Sequence, residues 1–138
     1  MLIEVYSDGS SVMPKRPGGY GWLIARNGIL TFEGYGWLRR ADNNDAEVEG
    51  AYQGLIAATK HYGPKQSLVI CSDSRIILGW IDGSFSFKRE PKNKRFHEVR
   101  LMASNLDLKT RWIRGHSGNI FNERCDELAR IGRLQKTG

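Results

Sequence analysis

The chain has little cysteine, no long apolar run and no repeat, and each shortage excludes a class of protein. Cys71 and Cys125 are the only two cysteines in 138 residues, too few for a disulfide framework and not spaced as a zinc pair. Both read as buried thiols. No apolar stretch approaches the roughly 20 residues needed to cross a bilayer. Asp8 and the glycines break the opening segment before a signal sequence can form, so an unexported, cytoplasmic protein is expected, with no membrane role. There is no low-complexity tract and no linker to a second domain. The expectation is a single domain over residues 1–138, with 40% hydrophobic and 26% charged residues.

Acidic residues are also in the minority, 15 against 21 lysines and arginines, for a net charge of +6. A basic balance fits a polyanionic partner, most often nucleic acid. The richest run is "KREPKNKR" (Lys88–Arg95), with five cations and one glutamate. It reads either as a solvated loop or as an edge that contacts duplex phosphates.

Hydrophobic periodicity supplies the frame. Leu2–Ser7 alternates as a strand, and "PKRPGGYG" is a Gly/Pro loop. Gly21–Arg26 and Ile29–Trp37 flank Asn27-Gly28, the strongest short hairpin signal. Three antiparallel strands are therefore expected. From Ala46 to about His61 the period becomes helical, with "NND" as N-cap and "GPK" as stop. Ser67–Ser72 is a nearly continuous apolar run, as in a strand covered on both faces. A short helix over Ser74–Ile81, a loop over Asp82–Lys94 and a helix from Arg95 to Ser104 follow. A strand over Leu108–Arg114, a flexible "GHSGN" and a closing helix over Phe121–Leu134 complete the order. This β-β-β-α-β-α-α-β-α order predicts an α/β fold, a mixed five-stranded sheet flanked by helices.

Three acids stand out by position. Asp8 and Asp73 end the first and fourth strands, where open α/β sheets bind ligands, and Glu47 lies in the first turn of the first helix. Each alone reads as a turn former or a helix-dipole acid. Crowded together they would raise one another's pKa, a cost that a divalent metal removes. Periodicity leaves Glu47 and Glu49 equivalent, and likewise Glu123, Asp126 and Glu127.

"YSDGS", "PGGYGW", "NNDAEVEGAYQGL", "CSDS", "GHSGN" and "NERCDELAR" together resemble type 1 ribonuclease H, in that family's order and over nearly the whole chain. The resemblance implies a ribonuclease H-like fold that hydrolyses the RNA strand of RNA/DNA hybrids by two-metal-ion catalysis, leaving 5′-phosphate and 3′-hydroxyl ends. It implies Mg²⁺ as cofactor, with Mn²⁺ as a substitute. It assigns Asp8, Glu47, Asp73 and Asp126 as catalytic metal ligands. His116 becomes an aid to proton transfer or product departure, with a pKa range suited to that task. The backbone near Gly9 and Ser10, with Asn43 and Asn44, would read the 2′-hydroxyls across the minor groove. Small side chains after Asp8 would give an RNA strand clearance. Arg40, Lys92, Asn93 and Lys94 are the expected phosphate contacts, the RNA/DNA hybrid the partner, and a monomer the state.

Three departures from the family pattern stand out. The segment before Arg95 is too short for the long basic protrusion of many bacterial members. Ala41 and Asp42 replace hydroxyl residues near a DNA-phosphate pocket, where Asp42 would repel phosphate. Pro14 stands where an asparagine is frequent. The rival readings are a non-catalytic hybrid-binding module, a nuclease for duplex RNA or branched DNA, and a purely structural domain.

Overall fold

The computed structural model describes residues 1–135; the last three residues of the expected domain span lie outside the described residues. Among the described residues, five strands and four helices follow in the order expected: β1 (Ile3–Ser11), β2 (Gly18–Arg26), β3 (Ile29–Leu38), α1 (Asn43–Tyr62), β4 (Ser67–Ser72), α2 (Arg75–Asp82), α3 (Arg95–Ser104), β5 (Asp107–Trp112) and α4 (Ile120–Arg133). The sheet order is β3-β2-β1-β4-β5. β1 pairs antiparallel with β2 and β2 with β3, while β4 runs parallel to both β1 and β5. Asn27 and Gly28 turn the β2–β3 hairpin with φ of 51° and 81°, the left-handed pair that a type I′ turn demands.

The main core lies between the sheet and helices α1–α3, around Val5, Ile24, Leu55, Ile70, Ile77 and Val99. A smaller one, with Tyr6, Leu23, Ala25, Cys71 and Cys125, lies on the side of α4. Both cysteines are free and buried, as expected. Among the described residues no helix is long and apolar enough to cross a membrane.

Four boundaries differ from the sequence reading in ways that matter for the site. First, β1 does not end at Asp8. It runs to Ser11, with Asp8 paired to Gly21 of β2. Its pairing with β4, however, spans only Ile3–Tyr6. Asp8 is thus a strand residue that has lost its neighbour on one side, not a turn residue. Second, β2 starts at Gly18, inside the segment read as a Gly/Pro loop, because pairing with β1 and β3 supplies its ladder. Third, the N-cap of α1 is Asp42 rather than the "NND" segment. The Asp42 carboxylate accepts from the Asp45 amide at 2.7 Å, and the Asp42 amide donates to Asp45 at 3.1 Å, a reciprocal capping box. Asn43 and Asn44 therefore open the helix, and Glu47 falls in its second turn, not its first. Fourth, β5 ends at Trp112, so Ile113 and Arg114 lie beyond the strand.

Candidate active site

Two glycines bring the acidic elements together. A Cβ on Gly9 would lie 2.5 Å from the Glu47 amide nitrogen. Only the missing side chain lets α1 approach β1 there and set Glu47 beside Asp8. The space that a side chain at Gly9 would need is taken by α1, while Gly9 itself also lines the open cleft. On the other side, a Cβ on Gly21 would sit 2.6 Å from the Leu128 Cβ. Its absence seats α4 against β2 directly opposite Asp8, which carries Asp126 to the same end of the sheet.

A cleft of about 380 Å³ opens at the carboxyl ends of β1 and β4. Asp8, Glu47, Asp73, His116 and Asp126 all line it, with Gly9, Asn43 and Asn44. Asp8, Glu47 and Asp73 each offer a carboxylate oxygen within 4.8 Å of the other two. Asp126 is outside that trio but close enough for its charge to act on Asp8 and Asp73; its other neighbour is Arg130, at 3.8 Å. Asp8 is 5% exposed.

The electrostatics are those of acids short of counter-charge. Burial first, then the charge of Asp73, pushes the Asp8 carboxyl up to about 7. Burial, then Asp8 and Asp73, holds Glu47 well above the ordinary range. Asp73 is raised by burial, against the nearby Asn122 side chain, which favours its charged form. Glu47 Oε2 is fully enclosed and has no hydrogen-bond partner among the described residues. A buried carboxylate oxygen without a partner is costly. Hard oxygen donors converging within a few ångströms are what a Mg²⁺-type cation takes, so the residues fit a divalent metal.

The pairs that periodicity left equivalent now separate. Glu49 turns away and accepts from Arg95 at 2.9 Å and Gln53 at 2.7 Å. Glu127 is occupied by Arg124. Glu123, by contrast, lines the cleft together with Asp126. His116 is exposed on the turn after β5, with φ of 55°.

Two residues of the site escaped the sequence reading. Asn122 is buried, lines the cleft and favours the charged form of Asp73. Its place in the first turn of α4, three residues after the N-cap Asn119, was the available signal. Trp112 donates its indole N–H to the Asp73 carbonyl at 3.1 Å, with Arg75 stacked 3.9 Å over the ring. No local pattern announces that contact.

The remaining expected contacts divide. Ser10 does not line the cleft; its hydroxyl accepts from Arg133 Nε at 3.0 Å. Arg40, Lys92 and Asn93 line a neighbouring cavity of about 670 Å³, which shares Asn44 with the cleft. Asn93 is committed to Asp45, at 3.1 Å. Lys94 lines neither cavity and occupies the backbone cap of α3. The loop that carries these residues is held by aromatic contacts of Phe87 with Trp80 and Phe96.

The chain is similar to known proteins over nearly its whole length. The ribonuclease H of Syntrophotalea carbinolica is 34% identical, with 94% of this chain and 89% of the relative covered. That of Escherichia coli is 31% identical, with 98% and 91% covered. Among solved structures, the N-terminal RNase H domain of a Mycobacterium tuberculosis protein superposes with a TM-score of 0.82 at 23% identity, covering 96% of this chain and 93% of that one. LC11-RNase H1, solved in complex with an RNA/DNA hybrid, gives 0.81 at 21% identity, with 95% and 96% covered. These two likenesses establish the fold, a mixed sheet with helices as described above. The RNase H family model itself matches residues 2–133, a span that contains every acid of the cleft, and the chain belongs to that metal-dependent family.

Proposed function

We propose that this protein is an endonuclease that hydrolyses the RNA strand of RNA/DNA hybrids, using two Mg²⁺ ions and leaving 5′-phosphate and 3′-hydroxyl ends. The observation that carries this reading is the convergence of Asp8, Glu47 and Asp73 within 4.8 Å, under-compensated and open to a cleft. Family membership supports the substrate class, as do the ribonuclease H relatives and the hybrid seen with LC11-RNase H1.

Asp8, Glu47, Asp73 and Asp126 would hold the cations. Such ions, with Mn²⁺ as an alternative, supply charge stabilisation for the attacking and leaving oxygens of a phosphodiester. Asn122 would favour the charged, ligand form of the Asp73 carboxylate, and the Trp112 indole pins its carbonyl. Gly9, Asn43 and Asn44, which line the cleft, would meet the RNA 2′-hydroxyls. His116, exposed at the rim, exchanges a proton with the departing product. Lys92 and Arg40, in the adjoining cavity, face the strand phosphates. The same reading has the chain act as a monomer, in the cytoplasm, without an obligate protein partner.

The test compares labelled RNA/DNA, RNA/RNA and DNA/DNA duplexes with Mg²⁺ or Mn²⁺, each with an EDTA control. Only the RNA of the hybrid should be cut, and EDTA should stop it. Equal cleavage of duplex RNA would replace the substrate assignment. Binding of hybrid without any cleavage would make the protein a binding module.

A further inference from the structure

The Lys88–Lys94 loop is not the only basic feature beside the cleft. The β1–β2 loop carries Lys15 and Arg16, and the β3–α1 loop carries Arg39 and Arg40. Two hydrogen bonds knit these loops together. The Ala41 amide donates to the Arg16 carbonyl at 3.1 Å, and the Ser11 hydroxyl donates to the Ala41 carbonyl at 2.7 Å. Four cationic side chains are thereby gathered at one corner of the sheet, and all four residues are exposed. Among the described residues none of the four has an ion-pair partner, whereas Arg95, Arg111, Arg124 and Arg130 each face a carboxylate. A cluster of uncompensated like charges gains nothing for the fold, since like charges repel. Its natural complement is a polyanion.

Position says which one. Ser11, the root of the first loop, is three residues past Asp8 on the same strand, about 10 Å at strand rise. That is about three steps of a duplex backbone at ~3.4 Å per phosphate along the axis. Arg40 and Lys92 must meet phosphate against opposing charge in the cavity between this corner and the Lys88–Lys94 loop. Two aspartates, Asp42 and Asp45, line it and already cap the first amides of α1. A helix start that would otherwise attract an anion is thus self-satisfied and negative.

We propose that Lys15, Arg16 and Arg39, beside Arg40, form a backbone-binding edge for a nucleic-acid duplex, which extends the grip on substrate beyond the cleft and beyond Arg40. The proposal rests on the function above only for the identity of the duplex, and it assigns affinity, not sequence preference, to this corner.

The experiment measures binding of a short labelled RNA/DNA hybrid by fluorescence anisotropy between about 0.05 and 0.2 M salt. The parent is the Asp8→Asn protein, so that substrate survives. Arg16→Ala with Arg39→Ala should lower the slope of log Kd against log salt by about two, at ~0.9 per phosphate contact. Lys15→Ala alone should lower it by about one. A control pair, Lys60→Ala with Lys65→Ala, removes the same charge from the far end of α1 and should leave the slope unchanged. An unchanged slope in the first pair, or an equal fall in both pairs, overturns the proposal. Cleavage by the wild-type protein is scored separately. If it cuts hybrid while the slopes stay level, the edge is wrong and the function stands. If it cuts nothing while the slope falls only in the first pair, the edge stands and the function is wrong.

Discussion

Two polar clusters sit on one face of the sheet, two residues apart along β1 and β4. In the lower one, Arg111 Nη2 donates to Tyr6 at 3.0 Å, to the Cys71 sulfur at 3.1 Å and to the Glu4 carboxylate. Glu4 is 6% exposed, yet it has its cation. In the upper one, Asp8 and Asp73 follow Tyr6 and Cys71 by two positions, and Glu47 joins from α1. Asp8 is about as buried as Glu4, but among the described residues it has no ion pair with a lysine or arginine, and Glu47 keeps an oxygen with no partner. The lower cluster is charge-satisfied by its own chain, the upper one is not. Burial is therefore common to both, and compensation is what separates a structural acid from one that waits for a ligand.

That contrast can be broken at several points, and the largest effect is expected at Asp8. Asp8→Asn should reduce hybrid cleavage at least about a thousandfold, the scale of removing a metal's charge stabilisation. Initial rates with Mg²⁺ measure it, and a loss below tenfold would remove Asp8 from the metal site. The same substitution should act oppositely on stability. The folded pKa of Asp8, about 7, lies above its ordinary 3.8, so the native state holds a proton that the unfolded chain releases. In EDTA the contribution of this group is greatest below about pH 4, falls as pH rises and levels off above about pH 7. At pH ~8, Asp8→Asn should then exceed the wild type by a few kcal/mol in urea unfolding, on the order of 1.4 kcal/mol per pH unit of the window. The gap should close towards pH ~4. A flat difference across pH would mean that Asp8 is not held as described.

The lower cluster should respond in reverse. Arg111→Met leaves Glu4 buried without its cation and should cost about 2 kcal/mol of stability, less than the full penalty of a wholly buried pair because Arg111 is half-exposed. Cleavage at saturating Mg²⁺ should change less than about threefold. A large loss of activity with unchanged stability would move Arg111 into the functional cluster. The smallest effect is expected at the rim, where His116→Ala should slow cleavage about tenfold without abolishing it. A loss equal to that of Asp8→Asn would end its assisting role.

The local signals in the sequence carried much of the frame. Asn27-Gly28 announces its hairpin because the turn's φ values depend on those two residues alone. The apolar run of β4 and the helical period of α1 are equally local. The end of β1 was not readable in the same way. Whether Asp8 lies in a turn or a strand depends on Gly21, thirteen residues away, and on where β4 stops pairing. In the sequence the capping box of α1 competes with "NND", which also offers good caps, and the choice of Asp42 depends on the direction in which β3 delivers the chain. The partners of Glu4, Glu49 and Asp73 come from elements far along the chain and leave no periodic trace.

By itself, then, the sequence determined the order and kind of the elements, the basic balance and, by resemblance, which acids belong together. These follow from local propensity, periodicity and motif order, which need no partner to be read. The tertiary structure decided which of those acids are compensated. It brought Arg95 to Glu49 and Arg111 to Glu4, left Asp8, Glu47 and Asp73 without a lysine or arginine ion pair among the described residues, and used Gly9 to press α1 against β1. Charge compensation is a property of distance between residues remote in the chain, so it exists only once the sheet has formed.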